Sequence, residues 1–116
     1  MKKKFRLTRP TDFQRVRRHG QSYAHPLVVL IALENDTEQI RVGVTAGKAL
    51  GSAVKRNRAK RLLRAAITPL LPDITPGVDL ALVAREPILD VKSTQVQEAL
   101  VKNLRKAKLL KKDHDR

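Results

Sequence analysis

The stretch from Ala53 to Ile67, AVKRNRAKRLLRAAI, constrains this chain more than any other. Projected at about 100° per residue, it gathers Leu62, Leu63, Ala66 and Ile67, with Ala59 and the following Leu70, on one broad face. Asn57, Lys60, Arg61 and Arg64 fall on the opposite face, and Arg56 and Arg58 flank the two borders. Such a helix docks one side on an apolar layer and presents guanidinium and ammonium groups on the other. No acidic residue occurs from Leu50 to Leu71. The intrahelical Glu–Lys pairs that usually lace an exposed helix are therefore missing, which argues against a merely solvated face.

The rest of the chain supplies strands for that layer. Leu27 to Leu33 is an apolar run rich in β-branched residues, the pattern of a strand largely buried on both faces. After the polar turn Glu34 to Glu38, Ile40, Val42, Val44 and Ala46 alternate with Arg41, Gly43, Thr45 and Gly47, predicting a strand with one covered face. The short connection predicts that these two strands pair as an antiparallel hairpin. Val78 to Ala84 is a third long strand after the turn Thr75-Pro76-Gly77. A short first helix starts at Pro10, with Asp12 at its positive end and Gly20 as its stop. Ser52 caps the middle helix, which is expected to run to about Leu70 and to end near Pro72. Thr94 and Gln97 match a capping box, and Val96, Leu100, Leu104 and Ala107 give the last helix its apolar face. The order helix-strand-strand-helix-strand-helix predicts a small single-domain α+β sandwich, residues 1–116, with a central, mostly antiparallel sheet. Its basic amino- and carboxy-terminal ends are expected to fray.

Composition narrows the function. With 25 Lys and Arg against 11 Asp and Glu, the 116 residues carry a net charge of +14. The excess comes in blocks: +7 over residues 1–20, +7 over 48–64 and +5 over 102–116, separated by stretches of −2 and −3. Blocks of this kind make a shaped footprint for a polyanion. Guanidinium groups suit bidentate phosphate contacts, and Asn57 can serve a phosphate or a ribose hydroxyl. The absence of cysteine excludes a disulfide scaffold, a thiolate-held metal and a thiol nucleophile. The longest apolar run falls far short of the roughly 20 residues of a membrane helix, and no signal-peptide pattern follows Lys2 to Lys4. A cytoplasmic protein without membrane or obligate protein partners is expected.

The run GKALGSAVKRNRAKRLLRA resembles the signature of the bacterial ribonuclease P protein component. The matching positions are Lys48, Gly51, Ala53-Val54, Arg56-Asn57-Arg58, Lys60-Arg61, Leu62-Leu63 and Arg64. Phe5-Arg6-Leu7, Asp12-Phe13, Val16, His19-Gly20, Arg41 to Val44 and Val83-Ala84-Arg85 resemble the family as well, so the likeness spans roughly residues 5 to 110. The resemblance implies a ribonucleoprotein endoribonuclease that removes 5′ leaders from precursor tRNA. In it the RNA subunit carries the catalytic metal site, with magnesium as the expected ion and no organic cofactor. It implies ribonuclease P RNA and precursor tRNA as partners and a left-handed β-α-β crossover, where the general rule for parallel strands is right-handed. Arg56, Asn57, Arg58, Lys60, Arg61 and Arg64 are then the candidate RNA-binding residues. Phe13, Arg17, Ile31, Thr45 and Lys48 are the candidates for the leader cleft. The chain departs from the family at two places, with Arg17 and Ile31 where aromatics are common.

No self-sufficient nuclease site is legible. His19, His25 and His114 lack metal-ligand spacing. Asp73, Asp79, Glu86 and Asp90 surround a strand and are expected to be solvated loop charges. Gly47-Lys48 lacks the first Gly and the Ser or Thr of a phosphate-binding loop. A ribosomal or other structural RNA-binding protein is the alternative reading. A DNA-compacting protein is disfavoured, because no wedge or groove-reading arm is evident.

Overall fold

The computed structural model describes residues 1–111. Within them lie helices α1 (Pro10–His19), α2 (Ala53–Ile67) and α3 (Ser93–Lys106). Strands β1 (Gln21–Tyr23), β2 (Val28–Glu34), β3 (Ile40–Thr45) and β4 (Val78–Ala84) form one mixed sheet in the order β1-β2-β4-β3. This is a small α+β domain, with the helix and strand order that the sequence predicts and β1 added. At three residues, two of them exposed, β1 is too short to show an alternation.

The predicted hairpin between β2 and β3 does not form. β4 lies between them, antiparallel to β2 and parallel to β3, so β3, α2 and β4 make a β-α-β unit. The physical reason is burial. Six of the seven β4 residues are buried, a pattern satisfied only in the centre of a sheet covered on both faces. The polar connection expected to close a hairpin instead receives the start of β4: Asn35 N–H donates to the Gly77 carbonyl, and Gly77 N–H donates to that of Gln39.

Two helix boundaries also differ from expectation. The α-helical part of α2 stops at Ile67 and continues as a 3-10 segment, Thr68–Asp73, because Pro69 and Pro72 cannot donate the hydrogen bonds of a longer helix. At α3 the capping contact sits two residues earlier than Thr94 and Gln97. Lys92 N–H donates to Gln95 Oε1 at 3.0 Å, so the chain enters the helix at Ser93. The start of the chain, expected to fray, makes a 3-10 turn over Lys3–Phe5, and Leu7 N–H then donates to the Val42 carbonyl at the β3 edge. The carboxy-terminal residues 112–116, also expected to fray, and His114 among them lie outside the described residues.

The two faces of the sheet are covered unequally. α2 and α3 close one face over a large cluster that includes Val28, Leu30, Val42, Leu80 and Leu82 from the strands. Leu63, Ile67, Leu70, Leu100 and Leu104 meet them from above. α1 lies across the other face on a small cluster of Leu7, Val16, Ile31 and Ala81. Gly20 ends α1 at a crowded point, where an added Cβ would lie 2.5 Å from the Val16 carbonyl oxygen and 2.8 Å from Ile31 Cγ2. No side chain fits there, which seats α1 close against β2.

Candidate nucleic-acid interface

The cationic stripe is built by α2. Ser52 Oγ accepts from Lys55 N–H and starts the helix, while Ala59, Leu63, Ala66 and Ile67 hold it on the sheet. Asn57, Arg58 and Arg61 are exposed, and Lys60 and Arg64 are half-buried at the edges of the stripe. Arg56 has a second task. Its Nε donates to the Ala46 carbonyl at 3.1 Å and ties α2 to the end of β3. Val54 stands 75% exposed beside these cations, the one large apolar side chain so exposed among the described residues.

The cleft lies beside α1, where the Phe13 ring reaches β3. Phe13 sits on Gly43, where an added Cβ would come within 2.6 Å of its ring. Only a glycine lets the ring approach the strand this closely. One hollow of about 340 Å³ is lined by Phe13, Gln14, Arg17, Val44 and Thr45. A second, of about 270 Å³ at the edge of β3, is lined by Phe13, Met1, Arg6, Thr8 and Arg64 among others. Phe13 is therefore shared by two adjacent hollows, and Arg64 of the α2 stripe opens into one of them.

The structure brings Phe13, Arg17 and Thr45 together and leaves two other candidates apart. Ile31 faces α1, as strand alternation requires, but is 6% exposed and packed with Val16 and Ala81, so it is a core residue. Lys48 is exposed in the 3-10 turn Lys48–Leu50 and lines neither hollow. Met1, Arg6, Thr8 and Gln14 line the hollows without having been predicted to do so. Gln14 was the more legible, one residue from Phe13 on the same short helix.

Asp79 corrects the expectation of solvated loop charge. It lies within β4 and is 0% exposed. Arg41 meets it with two hydrogen bonds of 2.9 and 2.8 Å, Arg15 with one of 2.9 Å, and Asn35 Nδ2 with one of 2.9 Å. Burial alone would raise its pKa; the hydrogen bonds from Arg41, Asn35 and Arg15 and the charge of Arg41 together hold it below its ordinary value. Asp12 on α1 stands 3.9 Å from both arginines. Among the described residues, no three of His, Cys, Asp and Glu gather as a metal ligand set. Asp79, the buried carboxylate, is already neutralised by arginine. His25 Nδ1 accepts from Leu27 N–H, and burial together with Lys102 and Lys106 lowers its pKa. His19 ends α1 and is exposed.

Residues 1–108 match the family model for ribonuclease P. The chain belongs to the ribonuclease P protein family. A ribonuclease P protein component from an Exiguobacterium species is 38% identical over 112 residues, covering 97% of each chain. One from Chloroflexus aurantiacus is 37% identical over 111 residues, covering 95% of this chain and 82% of that protein. Among solved structures, the ribonuclease P protein of Staphylococcus aureus superposes with a TM-score of 0.80 at 32% identity, covering 91% of this chain and 97% of that one. That of Thermotoga maritima gives 0.77 at 25% identity, covering 87% and 96%. As a ribonuclease P protein, the chain is the protein component of a ribonucleoprotein endoribonuclease of tRNA 5′ processing, and ribonuclease P RNA is its partner. The ribonuclease P reading prevails over the ribosomal or other structural RNA-binding alternative and over the DNA-compacting one. Among the described residues no helix is long and apolar enough to cross a membrane.

Proposed function

We propose that the α2 stripe docks on the phosphates of ribonuclease P RNA, and that the cleft at Phe13 receives the 5′ leader of precursor tRNA. Arg58 and Arg61 lead the docking, with Asn57, Lys60 and Arg64 beside them. The observation that carries this reading is the position of Arg64, which belongs to the stripe and lines a hollow that Phe13 also lines. One RNA held on α2 therefore stands next to a second strand entering the cleft. Phe13 offers a ring for a leader base, Arg17 a guanidinium for stacking or for a phosphate, and Thr45 a hydroxyl on the β3 side.

The protein's contribution is positioning and charge. Two polyanions repel, and a +14 chain between them offsets that repulsion. The magnesium of the holoenzyme belongs to the RNA in this reading, since among the described residues no three of His, Cys, Asp and Glu gather as a ligand set. The test is cleavage of precursor tRNA at low magnesium by a bacterial ribonuclease P RNA, with and without this chain. Stimulation by the chain, and no cleavage by the chain alone, is the expected result. Robust cleavage by the RNA-free protein, or no stimulation of a cognate RNA, overturns it.

A further inference from the structure

Neither the α2 stripe nor the cleft uses the groove on the far side of the amino-terminal segment. Phe5, Leu71, Pro72 and Pro76 line a groove of about 390 Å³, in the size range of ligand-binding clefts. Lys2, Lys4 and Lys111 stand on its lining, and no acidic side chain does among the described residues. Phe5 is half-buried, and Lys4 Nζ lies 5.0 Å from its ring centroid, so one ring face is reached by an exposed surface cation.

We infer that this groove holds one unpaired nucleotide of a single-stranded RNA segment. The base lies against Phe5 and the prolines, and the flanking phosphates lie on Lys2, Lys4 and Lys111. The inference rests on the RNA-binding reading above and adds a site to it. Base stacking outweighs an exposed cation–π contact, so a base displaces Lys4 from the ring and leaves its ammonium free for a phosphate. An extended peptide is the weaker fit. The neighbouring edge of β3 is already taken by the chain itself, through the Arg6–Val42 bridge and the hydrogen bond from Leu7 N–H to the Val42 carbonyl. A peptide strand has no free ladder to join there. The same segment lines both sites: Met1 and Arg6 face the hollow shared by Phe13 and Arg64, while Lys2, Lys4 and Phe5 face the groove.

The test is amide chemical-shift mapping on the full-length chain with a short single-stranded oligoadenylate. Shifts at Phe5, Thr68, Ile74 and Lys111 are expected, as a set separate from those of α2 and the cleft. Phe5→Leu should weaken oligoadenylate at this set at least about fivefold, the lower end of what a stacked base contributes. The Lys2→Gln, Lys4→Gln pair removes no core packing and should weaken it as well, with an unchanged amide spectrum in the free protein. Shifts confined to the α2 stripe and the cleft would overturn the groove and leave the RNA-binding reading standing. Absence of shifts at every site, with no binding of ribonuclease P RNA, would overturn both. Shifts in the groove from an acidic, aromatic peptide but not from oligoadenylate would make it a protein-docking surface and overturn the inference.

Discussion

The two faces of the sheet are built on different principles. Under α2 and α3 the contact is dry and aliphatic, with Leu63, Ile67, Leu82 and Leu100 all fully buried. Under α1 the buried apolar cluster is small, and charge completes it: Asp79 is held by Arg15 from the helix and Arg41 from the neighbouring strand. A thick core fixes geometry without leaving room. A thin one secured by directed hydrogen bonds keeps a helix in place while a cleft stays open beside it. Apolar burial is concentrated under α2 and α3, and the hollow beside Phe13 lies on the other face.

The sharpest way to break that contrast is to truncate one residue on each side. Leu63→Ala should cost about 2–5 kcal/mol, the range for a leucine deleted from a tight core. Chemical denaturation measures it, and a cost well below 1 kcal/mol would mean that the α2 face is not the stabilising one. On the other face, Asp79→Ala should cost about 2 kcal/mol. Hydrogen bonds to a charged group are lost, but Arg15 and Arg41 are 39% and 30% exposed and can turn to water.

Acid should weaken the α1 face selectively. The Asp79 pKa is lowered in the folded chain, so its contribution is complete above the unfolded value of 3.8 and is lost as the pH falls through the lower folded value. The difference in stability between the parent and Asp79→Ala should therefore shrink below about pH 4. A constant difference across that window would detach the carboxylate from the effect.

Phe13→Leu keeps an apolar cover over Gly43 and removes the aromatic face. Precursor tRNA affinity of the holoenzyme should fall by about 1–3 kcal/mol while mature tRNA, which has no leader, is little changed. An unaltered precursor-to-mature ratio would return Phe13 to a packing role. The smallest stability effect belongs to the exposed stripe. Arg58→Ala and Arg61→Ala should stay within about 0.5 kcal/mol of the parent in stability. Each should nevertheless flatten the salt dependence of RNA binding by about one unit of slope. Unchanged slopes would place the RNA on another surface.

The α2 stripe was legible because a helix of period 3.6 sorts its own residues, and the sorting of Leu63 from Arg61 needs no knowledge of the rest of the chain. The place of β4 was not legible from local pattern. A polar connection between two apolar strands predicts a hairpin, and only the burial demanded by Val78 to Ala84 shows that a third strand must come between them. Ile31 and Asp79 were misplaced for a related reason. Alternation tells which face a side chain takes but not what lies above it, and α1 lies above both. Phe13 and Thr45 line one hollow because the Phe13 ring reaches from that helix over Gly43 to β3.

The insertion of β4 between β2 and β3 also sets the order in which the molecule can be made. During synthesis β2 and β3 emerge first, yet neither has its main partner until residues 78–84 follow, with α2 already in between. The sheet therefore closes through contacts distant in sequence, the kind that slow folding. Until they form, two apolar strands stand with open edges, the state most exposed to aggregation. A polyanion that binds the basic helix emerging next would meet the nascent chain during that interval.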